Sequence, residues 1–146
     1  MTVLTENTIT SEITINAPAA KIFDALTDPA QLPQWWGEDG VYHVNRLERD
    51  LRVGGLWKSI GKGNDGEDFS VHGVYRVIEP PTRLDYTWNY DWEEGAAETV
   101  VRFDLKEQNG HTIVRVTHSG FVNAVSRDNH KEGWARVLGW LAKYVQ

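Results

Sequence analysis

Five histidines and seven tryptophans are the side chains of this sequence whose types and spacing best suit chemistry or the holding of a guest. The histidines stand at 43, 72, 111, 118 and 130. No i, i+4 pair falls on the C-terminal segment and the chain has no cysteine, so the spacing of metal ligands is absent and neither a metal nor a cofactor is expected. His118 is the exception to follow, because alternation along IVRVTH puts it on the face of Val114 and Val116. A lone histidine on an apolar face reads first as a satisfied core residue and second as a ligand contact. Nucleophilic catalysis lacks its parts, since no G-x-S-x-G elbow and no cysteine is present. The carboxylates of DGED and DWEE read as solvated turns. GKGNDG matches the G-x-G-x-x-G fingerprint, but a strand follows where phosphate binding needs the N-terminus of a helix, so it reads as a hairpin turn. Asp50 and Arg52 suit an ion pair or a cap on the glycine turn beside them.

The tryptophans point to a cavity. In QLPQWWGEDG, Pro33 and Gly37 argue against a helix with a buried face, so Trp35 and Trp36 either plug the edge of a core or wall a site. Alternation places Leu84, Tyr86 and Trp88 on one face, opposite Phe103 and Leu105 of the next strand and Val114 and Val116 of the one after. Ligand pockets are mostly apolar and aromatic, with a few polar groups that orient the guest. The candidate wall is therefore Trp35, Trp36, Trp57, Tyr86, Trp88, Phe103, Phe121, Trp134 and Leu138, with Tyr75, Tyr90 and His118 as the orienting groups. One ring of the Trp35–Trp36 pair is expected to face the guest and the other to anchor the helices that precede it.

These side chains need elements to position them. Residues 8–16 alternate with Ile9, Ile13 and Ile15 on one face, the mark of a half-buried strand. Pro18 opens a short helix that buries Ile22, Phe23 and Leu26, and Asp28-Pro29 opens a second. From about Val41 to His118 the chain reads as an antiparallel meander, with turns at 61–68, 79–83, 91–97 and 108–111. Asn109-Gly110 is a two-residue hairpin signal, because both positions accept positive φ. Gly54-Gly55 reads as a bulge or bend that lets the sheet curl. Trp134, Val137, Leu138, Leu141 and Val145 then follow helical spacing, predicting an amphipathic helix from near Asp128, ~27 Å long at 1.5 Å per residue. The 146 residues make a single α+β domain over 1–146.

Composition narrows the function classes. A net charge of -6 with scattered basic residues excludes the footprint of nucleic-acid binding. The absence of cysteine, a beginning MTVLTENTIT without a basic segment or an apolar run, and no stretch near ~20 apolar residues lead to an expected cytoplasmic location with no membrane span.

Six motifs, in order along nearly the whole chain, carry a resemblance: INAPAAKIFDALTDP, WWG, RDLRVGGLW, GVYRVIEPPTRLDYTW, VTHSGF and EGWARVLGWLAKY. Together they resemble the SRPBCC superfamily, also called START or birch-pollen-allergen-like. Within it they are most similar to the group named after the C-terminal domain of the heat-shock-protein-90 ATPase activator. The resemblance implies a helix-grip fold: a seven-stranded curved antiparallel sheet wrapped around a long C-terminal helix, with two short helices after strand 1. It also implies a cavity that often holds an apolar small molecule, and the group's name implies a link to the stress response. The leading expectation is non-enzymatic binding of a small apolar, aromatic or lipid-like molecule. A co-chaperone acting on a heat-shock-protein ATPase is the alternative, against which stands a chain too short for the separate N-terminal domain of the eukaryotic activators. A cyclase or hydratase using His118 or Tyr75 as general acid or base is the third, by analogy of fold.

Overall fold

The alternation of TITSEITI forms β1 (Thr8–Ile15), with Ile9 and Ile15 buried and Thr10, Glu12 and Thr14 turned outward. The computed structural model describes residues 7–146, so the reading of MTVLTE lies outside the described residues. Two short helices follow, α1 (Ala19–Thr27) and α2 (Leu32–Trp35). Then come β2 (Gly37–Glu38), β3 (Tyr42–Arg49), β4 (Leu56–Gly63), β5 (Asp68–Glu79), β6 (Arg83–Tyr90), β7 (Thr99–Gln108), β8 (His111–Ser119) and α3 (Ala124–Val145). The strands form one antiparallel sheet in the order β1-β8-β7-β6-β5-β4-β3-β2, curled around α3. This is the helix-grip architecture.

The sheet has eight strands where seven were expected. The extra one is β2, in which Gly37 pairs with His43 and Glu38 with Tyr42. Two residues carry no period to read. Gly37 is required there: its φ is 139°, and a Cβ would strike the Tyr42 carbonyl.

Three local expectations are corrected. Pro33 does not forbid a helix, because it sits in the first turn of α2, where a backbone N–H has no helical acceptor, and the helix buries Leu32 and Trp35. Helix α3 starts one turn before Asp128, because the Asn123 side chain accepts hydrogen bonds from the N–H groups of Val125 (2.8 Å) and Ser126 (3.2 Å). Gly54-Gly55 is the turn between β3 and β4 rather than a strand bulge. The register shifts lie at Val44/Arg46 and Tyr75/Val77 instead. The glycine turn docks beside the second of these, with Gly54 N–H on the Tyr75 carbonyl (2.8 Å) and Tyr75 N–H on that of Gly55 (2.9 Å). Within that turn Arg52 Nε lies 2.6 Å from Asp50 Oδ2, the structural ion pair foreseen.

Elsewhere the pattern holds. Asn109 and Gly110 take φ of 55° and 81° in the β7–β8 hairpin. Leu84, Tyr86 and Trp88 pair with Phe103, Val101 and Thr99, and Phe103 pairs in turn with Val116 and Val101 with His118, all on the concave face. The stripe Trp134, Val137, Leu138, Leu141 and Val145 of α3 is buried against that face. Trp134 meets Phe103 at 5.7 Å, and α3 also packs along β1, so the helix covers one half of the sheet and leaves β3 to β6 curling away from it.

Candidate functional site

The adjacent tryptophans stack on one another, ring centroids 5.2 Å apart, but have different partners. Trp35 Nε1 donates to the Ala25 carbonyl at 3.0 Å, which ties α2 to α1. Trp36, at the helix C-cap before Gly37, turns into the space between sheet and helix: its ring lies 5.8 Å from Trp134 and 6.5 Å from Trp88, and its Nε1 donates to the Tyr42 hydroxyl at 3.2 Å. Trp35 is the anchor, and Trp36 faces the space.

That space is a cavity of about 640 Å³ between β3 to β6 and α3. Period 2 supplies its wall: Trp57 from β4, Val71 and Tyr75 from β5, Tyr86 and Trp88 from β6. The rings form a continuous cluster, Trp57 being 4.9 Å from Tyr86 and 5.9 Å from Trp88, and Trp88 5.5 Å from Trp134. The mouth is polar and mainly acidic, with Asp65, Glu67 and Asp68 on the β4–β5 hairpin and Arg136 on α3. Trp92, 53% exposed in the β6–β7 loop, stands beside it. Helix α3 contributes Gly133 to the cavity, and a Cβ built there would meet nothing within 4 Å. A helix-interior glycine costs about 0.5–1 kcal/mol against alanine, so this one gives up stability and adds room.

Beneath the wall lies a directional hydrogen-bond chain. Trp134 Nε1 can only donate, so it donates to His118 Nδ1 at 2.9 Å. The proton of the neutral ring then sits on Nε2, which donates to Thr99 Oγ1 at 2.7 Å, and Thr99 donates to the Trp88 carbonyl at 3.0 Å. Burial, reinforced by neighbouring His130, holds the His118 imidazole well below its usual pKa and therefore neutral. His118 is a satisfied core histidine, and its links orient two rings of the cavity wall, Trp88 and Trp134.

His130 is arranged otherwise. Its Nδ1 donates to the Ser126 carbonyl at 2.8 Å, and burial lowers its pKa against the opposing influence of that carbonyl and of Glu93. Glu93 accepts from Ser126 Oγ at 2.5 Å and from the Tyr90 hydroxyl at 2.7 Å, contacts that hold its carboxyl below the usual range. They latch the β6–β7 loop to the first turn of α3. Three polar atoms on cavity-wall rings, Trp57 Nε1, Trp88 Nε1 and His130 Nε2, are sealed and have no hydrogen-bond partner. Such a group costs about 1–3 kcal/mol.

The hydroxyls of Tyr75 and Tyr86 differ from those three. Among the described residues neither has a hydrogen-bond partner, yet neither is sealed, and both rings are buried cavity-wall residues, so their accessible oxygen surface lies in the cavity. Burial pushes the Tyr75 phenol up to about 12 against the pull of Arg49, and Tyr86 well above its usual value. Both are protonated donors at neutral pH.

Of the twelve candidate residues, the structure brings Trp36, Trp57, Tyr75, Tyr86, Trp88 and Trp134 to the cavity wall. The other six lie off it. Trp35 is spent on α1, Phe103 and Leu138 fill the core beneath α3, and His118 with Phe121, rings 4.5 Å apart, lies behind Trp88. Tyr90 binds Glu93. Sequence reasoning missed Tyr42, Phe69, Trp92, His130 and Gly133. For His130 a signal existed: it stands i−4 to Trp134, on the same helical face, once α3 is started at its Asn123 cap. Among the described residues no group of three or more His, Asp or Glu side chains forms a metal cluster, and no described helix is long and apolar enough to cross a membrane.

Comparison with known proteins places this geometry. The family model described as "Activator of Hsp90 ATPase homolog 1-like protein" matches residues 16–146. Protein CV1439 from Chromobacterium violaceum is similar in structure over 95% of this chain and 96% of its own, at 26% identity and a TM-score of 0.85. Protein Ms6760 from Mycobacterium smegmatis shares the fold over 96% of this chain and 91% of its own, at 19% identity and a TM-score of 0.81. Beta-agarase D of Zobellia galactanivorans is 30% identical over 96 residues, which is 62% of this chain but 19% of that protein.

Proposed function

The chain belongs to the activator of Hsp90 ATPase homolog 1-like family, and from that premise we propose that it binds a small apolar, aromatic or lipid-like molecule between the sheet and α3, without catalysis. The observation that carries this reading is the cavity itself: about 640 Å³, walled by Trp36, Trp57, Tyr75, Tyr86, Trp88 and Trp134. Sites for drug-sized ligands occupy ~300–1,000 Å³ and have this mixture of aromatic wall and few polar atoms. A core selected for stability alone would fill that volume and would not keep three orphaned polar atoms and a helix-interior glycine on one wall. The expected cytoplasmic setting rests on the lack of cysteine.

The test is thermal unfolding with separate sets of planar aromatic and long-chain aliphatic compounds. A ligand at 100 times its Kd adds about 2.7 kcal/mol of stability and raises Tm accordingly. Val71→Trp, which places a large ring in the cavity, is expected to abolish the rise. No rise in either set at the limit of solubility overturns the reading. The co-chaperone alternative is supported by the family's description alone, and a heat-shock-protein ATPase rate unchanged at saturating protein removes it.

A further inference from the structure

Tyr75 and Tyr86 are direct cross-strand partners on β5 and β6, so their side chains leave the same face of the sheet side by side. Their ring centroids are 6.1 Å apart at an interplanar angle of 82°. Each hydroxyl is an unpaired donor open to the cavity, and no carboxylate acts on either phenol. This end of the cavity is thus rich in donors and poor in acceptors. Buried hydroxyls left unpaired are unfavourable, and a guest oxygen with two lone pairs can satisfy both at once.

We infer that Tyr75 and Tyr86 form a two-donor clamp for the carbonyl oxygen of a neutral aromatic ketone or aldehyde whose rings lie along Trp36, Trp57 and Trp88. The inference rests on the proposed binding role and adds the ligand's chemical class. A carboxylate is disfavoured on two grounds. Arg49 acts on the Tyr75 phenol only from outside, being exposed, off the cavity wall and committed through its Nε to the Thr27 carbonyl at 2.7 Å, and Arg136 stands at the mouth, so a buried anion would lose its hydration without a cation paired to it at the two hydroxyls. Asp65, Glu67 and Asp68 at the mouth also repel an approaching anion. A plain hydrocarbon fits the walls but leaves both hydroxyls unpaired.

The experiment is isothermal titration of the full chain with three diphenyl compounds that differ at the central carbon: benzophenone, diphenylmethane and diphenylacetate. The wild type is expected to bind the ketone about 5- to 50-fold more tightly than the hydrocarbon, with the carboxylate weakest. Tyr75→Phe and Tyr86→Phe should each weaken the ketone about 3- to 10-fold and leave diphenylmethane unchanged. Because neither hydroxyl holds a protein partner, both variants should keep the wild-type Tm. Either one suffices for the comparison. Equal affinity for ketone and hydrocarbon, ketone binding untouched in both variants, or a preference for the carboxylate overturns the clamp while the cavity-binding reading stands. Failure of all three compounds to bind overturns both.

Discussion

Gly133→Ala should make this protein more stable. The glycine lies inside α3 with ordinary helical φ, and the added methyl would meet no atom within 4 Å. No steric penalty therefore offsets the gain in helix propensity and the loss of unfolded-state freedom, together about 0.5–1 kcal/mol. For a chain of 146 residues that corresponds to a rise in Tm of about 1–4 °C. Gly139→Ala supplies the control: it lies on the same helix, also with open space at its Cβ, but away from the cavity. Urea unfolding followed by tryptophan fluorescence should give similar gains for both. Only Gly133→Leu, whose side chain enters the cavity, should weaken a bound apolar ligand, by about 10-fold or more through lost volume. Gly133→Ala destabilising the fold while Gly139→Ala stabilises it would show that Gly133 serves a close backbone approach, and the argument that it provides room would be refuted.

Thr99→Val is nearly isosteric but removes a hydroxyl that accepts from His118 and donates to the Trp88 carbonyl, both buried. The expected loss is about 1–3 kcal/mol in equilibrium unfolding, and an unchanged midpoint would contradict the chain of bonds. Acidification should destabilise through His118 and His130, whose folded pKa values lie below the unfolded value of about 6.5. The unfolded chain then binds more protons, so this stability is fully present above pH ~6.5 and falls below it by up to about 1.4 kcal/mol per pH unit for each group until its folded pKa is reached. Urea midpoints at pH 7, 6 and 5 check the sign, and a flat profile refutes it. Asn123→Ala removes the cap on Val125 and Ser126 and should cost about 1 kcal/mol, read from the same unfolding curves.

Much of the scaffold was legible because it rests on local rules. Alternation placed Leu84, Tyr86 and Trp88 on the concave face with Phe103 and Leu105, although the register sets Val101 and Thr99, not Leu105, opposite Tyr86 and Trp88; positive φ at Asn109-Gly110 closed the last hairpin, and the Trp134 to Val145 stripe marked the final helix. The errors came where a local rule met another constraint. Pro33 breaks helices in their interior but not in their first turn. The opening turn of α3 carries no apolar stripe, and its start depends on the Asn123 cap. The division between cavity wall and packed core is less local still. Phe103 and Tyr86 share a face, yet α3 covers Phe103 and leaves Tyr86 at the open half, a distinction made by sheet curvature and by where the helix rests. Trp35 and Trp36 were separable only once α1 offered the Ala25 carbonyl to one of them.

The most direct test of a ligand in the cavity is a two-dimensional amide NMR titration in which the seven tryptophan indole N–H signals report separately. The account predicts saturable shifts at Trp36, Trp57, Trp88 and Trp134, which line the cavity, and at Trp92 beside its mouth. Trp35, off the wall with its N–H bonded to the Ala25 carbonyl but stacked on Trp36 at 5.2 Å, should shift less than Trp36. Indoles that never move, or that all drift together without saturating, would contradict it.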